Sequence, residues 1–261
     1  MKDLDKKAPE QWSDLKSRFV SSVVLVCVGT TAIWVGGFWF HVIVALICSG
    51  MMWEFSRLTD PDKRHYPAEM GVLAGLVMTA TAVLPDQLII PVLLTVSVVG
   101  MTQLKAGRLV FGLYSAALIF ACYGLINIRS EYGAVWIAWI VSVVVASDVA
   151  GYFVGRFLGG PKFWPKISPK KTWSGTVGGW VAAGCVGMIF GGLPLVILSI
   201  STSFASQLGD ATESALKRRA GIKDSSNLIP GHGGLLDRFD AMLGASLFVS
   251  LMGVTVGLPV I

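Results

Sequence analysis

The charges of this chain are swept out of long stretches and gathered into short ones. Residues 19–53, 109–128, 172–209 and 241–261 contain no Asp, Glu, Lys or Arg, and residues 70–104 contain only Asp86. A helix rises about 1.5 Å per residue and needs about 20 residues to cross about 30 Å of hydrocarbon. The longer runs therefore hold two crossings each, hinged at Gly36-Gly37, Pro85-Asp86 and Gly191-Gly192-Leu193-Pro194, all turn formers. Solid apolar runs argue against a membrane β-barrel, which would show short alternating segments. Only 14% of the 261 residues are charged and 54% are apolar before the 30 glycines are counted. That composition excludes a water-soluble globule, a disordered chain and a disulfide scaffold. The expected fold is an all-α, polytopic integral membrane helical bundle.

The expected crossings are residues 19–36, 38–56, 70–84, 88–104, 109–127, 133–154, 175–191, 193–209 and 241–260. Nine crossings put the termini on opposite sides. Basic residues mark cytoplasmic loops. With the N-terminus cytoplasmic, 20 of the 21 Lys and Arg residues fall on that side, and only Arg129 falls outside. Residues 1–18 then form a cytoplasmic N-terminal segment, solvated or at the membrane surface. Residues 19–261 form a single transmembrane domain with cytoplasmic motifs at 147–175 and 207–240. The first crossing has no small-x-small cleavage site and runs into a second, so a retained helix is expected rather than a signal peptide. Short loops and minimal tails favour a bacterial inner membrane. Cys27, Cys48, Cys122 and Cys185 all lie in apolar runs without CxxC spacing and read as small hydrophobes. Trp34, Trp39, Trp136 and Trp139 lie near the outer ends of crossings, where an aromatic belt would sit.

Two cytoplasmic stretches carry more than topology. In the first, Asp148 interrupts an apolar run, which is costly unless it faces a polar cavity or a partner such as Arg156. It is followed by Ser168-Pro169-Lys170-Lys171-Thr172 at the start of a new helix. Lysines, hydroxyls and free N–H groups at a helix start suit a polyanionic phosphate: Lys170 and Lys171 for charge, Ser168 and Thr172 for hydrogen bonds. In the second, Asp210, Glu213 and Lys217 are spaced to share one helix face, and Asp237 and Asp240 repeat the i, i+3 spacing beyond the turn Pro230-Gly231-His232-Gly233-Gly234. Clustered carboxylates repel unless a cation lies between them, and hard oxygen ligands favour Mg²⁺ over zinc. The competing reading is a set of surface salt bridges, five acids against five bases. Glu54 and Arg57 read as a local i, i+3 pair, with Glu54 alternatively lining the cavity. His232, alone between glycines, reads as a hydrogen-bonding turn residue.

The second motif resembles the C-terminal signature of the CDP-diacylglycerol synthase (phosphatidate cytidylyltransferase) family. The match runs through Ser214, Lys217-Arg218, Lys223-Asp224 and Pro230-Gly-His232-Gly-Gly-Leu-Leu-Asp237-Arg238-Phe-Asp240 with fixed internal spacing. Ser147-Asp148, Gly155-Arg156 and Ser168-Pro-Lys-Lys-Thr-Trp173 are similar to that family too, and Ser174 stands where it commonly has Glu. The resemblance implies transfer of CMP from CTP to phosphatidic acid, giving CDP-diacylglycerol and pyrophosphate. It implies Mg²⁺, with a second, monovalent cation such as K⁺ beside it. Asp210 and Asp237 are then the principal metal ligands, with Asp148, Glu213, Asp224 and Asp240 as further candidates. Lys170, Lys171, Lys217 and Arg218 would hold phosphates, and Arg238 would do so or pin the carboxylates. Ser168, Thr172 and His232 complete the substrate-binding set. Expected partners are CTP, phosphatidic acid, the bilayer and a second copy in a homodimer, with no nucleic acid. The rivals are a CTP-using lipid kinase of related architecture and a transporter using Asp148 and the acidic cluster as an ion path.

Overall fold

The computed structural model describes residues 7–59 and 66–259, with the backbone alone along 7–17. Lys2, Lys6, Lys63, Arg64 and His65 lie outside the described residues. Among those described, nine helices run in chain order: α1 (Lys7–Val35), α2 (Gly37–Thr59), α3 (Tyr66–Ala80), α4 (Asp86–Gln103), α5 (Arg108–Glu131), α6 (Ala134–Leu158), α7 (Trp173–Gly191), α8 (Leu193–Arg219) and α9 (Leu236–Thr255). Between α6 and α7 lies an antiparallel hairpin, β1 (Lys162–Trp164) and β2 (Ser168–Thr172), in which Lys162 pairs Thr172 and Trp164 pairs Ser168. Seven helices are long and apolar enough to cross a membrane: α1 from Arg18 onward, α2, α4, α5, α6, α7 and α9. This is an integral membrane helical protein. Of the other two, α3 has only 15 residues, and α8 is diluted by serine and threonine between Ser199 and Ser206 and by charges beyond Gly209.

The helices depart from the expected crossings where polar residues continue them. α1 reaches back to Lys7, so the helix that carries the first crossing begins within residues 1–18. Its Pro9 sits in the first turn, where a missing N–H costs nothing. α8 runs past residue 209 to Arg219, and α9 starts at Leu236 rather than 241. Asp210, Glu213, Lys217, Asp237 and Asp240 therefore all stand on helices.

Small residues let the site-bearing helices approach. A Cβ on Gly209 or Gly244 would strike the partner helix's backbone, so α8 and α9 touch main chain to main chain. Gly151 and Gly175 do the same for α6 and α7. Hydroxyls then bond across the bundle: Ser147 with Ser203 at 2.6 Å, and Ser246 donating to the Ala121 carbonyl at 2.6 Å. Trp139 donates to Ser199 at 2.9 Å. Trp136 and Trp139 are thus buried core residues, unlike the exposed Trp34 and Trp39, and the expected belt of four tryptophans holds for two. Cys48 and Cys122 are buried as expected, whereas Cys27 and Cys185 are exposed on the outer faces. Arg129, the one base outside the charge asymmetry, closes the end of α1. Its guanidinium donates to the carbonyls of Ile33 (2.7 Å) and Trp34 (3.2 Å), the orphan acceptors of a helix C-terminus.

Candidate active site

A cavity of about 600 Å³ opens between α6, the hairpin, α7 and α8. Asp148 and Arg156 line it from α6, Lys162 and Trp164 from β1, Lys170, Lys171 and Thr172 from β2, and Asp210 from α8. The hairpin is what brings the lysines in. Its second strand ends on Thr172, whose Oγ1 accepts the Gly175 N–H at 3.2 Å and caps α7. Ser174 hydrogen-bonds the Gly159 carbonyl and the Thr172 hydroxyl, tying the hairpin base to the end of α6. Lys171 forms an ion pair with Asp210, which also accepts the Ser214 hydroxyl at 3.1 Å. Asp148 does not pair with Arg156, whose guanidinium instead donates to the Tyr152 hydroxyl at 2.7 Å.

About two turns further along α8, Lys217 is held between two carboxylates, Glu213 and Asp237, each at 2.6 Å. Asp237 also accepts the Ser225 N–H (2.9 Å), the Ser225 hydroxyl (3.0 Å) and the Gly234 N–H (2.8 Å). Burial pushes the Glu213 carboxyl up to about 8; Lys217 pulls it back and the charges of Asp240 and Asp237 push the same way as burial. Burial alone would lower the Lys217 ammonium, but hydrogen bonds to Asp237 and Glu213 carry it above its ordinary range. Lys217 is therefore a fixed positive charge clamped by an ionised Asp237.

The structure brings Asp148, Lys170, Lys171, Thr172 and Asp210 onto one cavity and Glu213, Lys217 and Asp237 into one cluster. Asp240 lies between, feeling the charges of Asp210, Asp148 and Lys217 and lining a separate apolar recess of about 310 Å³ with Leu208, Leu243, Leu247 and Phe248. Ser168 is at the start of β2, outside the cavity lining. Arg218 is exposed and donates to the Ile222 carbonyl at 3.1 Å. Arg238 is exposed and donates to the His232 carbonyl at 2.7 Å. The His232 ring sits between Ser21 (2.8 Å) and Ser22 (3.0 Å), fastening the glycine-rich turn to α1. Asp224 lines another polar pocket with Arg57 and Lys223.

Sequence reasoning placed Glu54 with Arg57, and the structure corrects that. Arg57 lies over the Trp53 ring at 5.4 Å, while Glu54 is fully buried against the turn that carries Asp237. Only an unpaired acid inside an apolar helix could have signalled this.

By donor chemistry the site fits Mg²⁺. Its acidic side chains offer carboxylate oxygens, which are hard ligands, and the buried Oε1 of Glu213 has no hydrogen-bond donor. Among the described residues no three His, Cys, Asp or Glu converge on one point. Mg²⁺ needs no such cage, because it is commonly bound by one or two carboxylates together with substrate phosphates and water.

Comparison with known proteins adds the lineage. The model of the Cytidylyltransferase family matches residues 16–256. The chain is 34% identical to the phosphatidate cytidylyltransferase of Brucella suis biovar 1 (strain 1330), over 92% of this chain and 94% of that protein. It is 33% identical to the phosphatidate cytidylyltransferase of Bacillus subtilis (strain 168), over 88% and 94%. It is 31% identical to that of Haemophilus influenzae (strain ATCC 51907 / DSM 11121 / KW20 / Rd), over 90% and 97%. Matched along nearly its whole length in this way, the chain belongs to the cytidylyltransferase family, with phosphatidate cytidylyltransferases as its relatives.

Proposed function

We infer that the protein is a phosphatidate cytidylyltransferase, transferring CMP from CTP to phosphatidic acid and releasing pyrophosphate and CDP-diacylglycerol. The full-length similarity to enzymes of that name supports it. The observation that carries the site reading is the ion pair between Lys171 and Asp210, which joins the basic hairpin to the acidic helix across one cavity.

In this reading the nucleotide's phosphates enter the cavity against Lys170, Lys171 and the α7 N-terminus, with Arg156 and Lys162 at the rim. A phosphate oxygen of the lipid attacks the α-phosphorus of CTP in line with the departing pyrophosphate. That nucleophile is already an anion, so no Ser, His or Cys nucleophile is needed. Positioning and charge neutralisation are what the protein supplies. Asp210 and Asp237, with Asp148, Glu213 and Asp240 near them, would hold Mg²⁺, which when bound neutralises phosphate charge and polarises the phosphoryl oxygens. A monovalent cation such as K⁺ belongs beside it. Lys217 keeps Asp237 in place. The apolar recess below Asp240 suits an acyl chain of the lipid, whose phosphate then lies close to the carboxylates. The nine helices cross an inner membrane with the N-terminus and this cavity on the cytoplasmic side, residues 19–261 act as one catalytic domain, and the enzyme works as a homodimer.

The test is purified protein with labelled CTP, phosphatidic acid and Mg²⁺, with and without EDTA. Labelled lipid plus pyrophosphate, lost with EDTA, is expected. Release of CDP with a phosphorylated lipid would replace this reading with a lipid kinase. Full activity in Asp210→Asn or Asp237→Asn would remove that residue from the site.

A further inference from the structure

Glu54 lies on α2, outside both motifs, and its exposure is 0%. Among the described residues no cation pairs with it. Its carboxylate is met by donors alone: the Ser226 hydroxyl (2.5 Å), the Leu236 N–H (2.6 Å), the Leu235 N–H (3.0 Å) and the Ser225 hydroxyl (3.2 Å). Two of these are the orphan N–H groups at the start of α9, whose N-cap, Leu235, has no side-chain acceptor of its own. Glu54 thus caps α9 from a helix more than 180 residues earlier in the chain. The single proton of that Ser225 hydroxyl is shared with Asp237, 3.0 Å away, so one serine bridges the two carboxylates. The turn is shaped to this contact. A Cβ on Gly234 would overlap both the Ser225 hydroxyl and the Glu54 carboxylate, and a Cβ on Gly50 of α2 would strike the Leu235 side chain seated there.

We propose that Glu54 is a positioning residue for cytidylyl transfer: it seats the 225–236 turn on α2 and thereby holds Asp237, and with it Lys217, in register with the cavity. The inference rests on the reading that Asp237 and Lys217 serve the reaction. A carboxylate is required because it offers acceptors only. Glutamine would supply one acceptor oxygen and turn an NH₂ toward a donor, leaving one buried N–H, of Leu235 or Leu236, unpaired.

Glu54→Gln, Glu54→Asp, Ser225→Ala and Asp237→Asn are purified in detergent, checked for a monodisperse peak and melting temperature, and assayed for CDP-diacylglycerol. Folded Glu54→Gln is expected to lose about a hundredfold in kcat with KM for CTP little changed, the size of a displaced reactive group. Glu54→Asp should recover part of that loss. Glu54→Gln combined with Ser225→Ala should lose less than the product of the single losses, because both act through Asp237. A folded Glu54→Gln with near wild-type kcat, or losses that multiply, overturns the proposal. Should Glu54→Gln not fold, Ser226→Ala removes one donor from Glu54 and none from Asp237. A fall in kcat at unchanged melting temperature supports the proposal, and unchanged kcat overturns it. Full activity in Asp237→Asn would instead sink the reading beneath it.

Discussion

Lys217→Met separates the electrostatics of the inner cluster from its packing. The lysine side chain is 11% exposed, Asp237 6% and Glu213 0%, so this is a buried triad. Methionine keeps the length and most of the volume, so the cavity term is small. Removing one partner of a buried ion pair costs about 3–5 kcal/mol because the other charge is stranded. Here the low end applies. Asp237 keeps two N–H donors and the Ser225 hydroxyl, and Glu213, raised to about 8, settles into its neutral form. A loss of about 3 kcal/mol in a chain of this size lowers the melting temperature by about 6–12 °C. Thermal unfolding in one detergent, followed by tryptophan fluorescence, measures it. The decisive arm is Lys217→Met with Asp237→Asn, which removes the stranded charge. That double variant should be more stable than Lys217→Met alone. If it is instead less stable by the full cost of Asp237→Asn, the two residues are not coupled and the reasoning fails.

Three further outcomes are expected. Gly234→Ala forces a methyl into the Ser225 hydroxyl and the Glu54 carboxylate and should cost about 1–3 kcal/mol by thermal melting along with most activity, whereas Gly29→Ala, with open space around it, should be neutral or slightly stabilising. Lys170→Ala with Lys171→Ala should raise KM for CTP by about tenfold or more, each tenfold being about 1.4 kcal/mol of lost binding, and an unchanged KM would return that hairpin to a topological role. Glu213 has a folded value of about 8 against an ordinary 4.5, so the folded protein holds the extra proton between the two. Its contribution is fully present below the lower value and lost as pH rises through the upper one. The melting temperature of EDTA-treated protein should therefore fall from pH 6 to about pH 8.5, and Glu213→Gln should flatten that fall.

What the sequence could and could not reveal follows from what each feature depends on. The helices were legible because a charge-free run in a bilayer has one outcome: every backbone group must be satisfied within the segment. The acids of α8 and α9 were legible because i, i+3 spacing is a local property of one helix. Their helix ends were missed for the same reason that the spans were found. Charge marks where the hydrocarbon stops, and α8 carries on to Arg219 well after that point. The hairpin is not legible in the sequence because strands of three and five residues rich in lysine and proline carry no alternation. The burial of Trp136 and Trp139 was not legible either. In a bilayer the lipid-facing and core-facing sides of a helix are both apolar, so composition does not say which way an indole points.

Glu54 shows the sharper limit. Its nearest oppositely charged neighbour in sequence is Arg57, and local reasoning pairs them. In the folded chain the arginine lies over the Trp53 ring, and the carboxylate gains two backbone N–H groups, the Ser226 hydroxyl and a share of the Ser225 hydroxyl, which no local pair could supply. The helix start it caps is formed by Leu235 and Leu236, residues whose own side chains accept no hydrogen bond. An uncapped helix N-terminus buried beside a charged site is costly, and a chain that writes Gly-Gly-Leu-Leu there must bring an acceptor from elsewhere. Gly234 and the distant acid are two halves of one requirement: the first clears the space, and the second fills it with a group that only accepts.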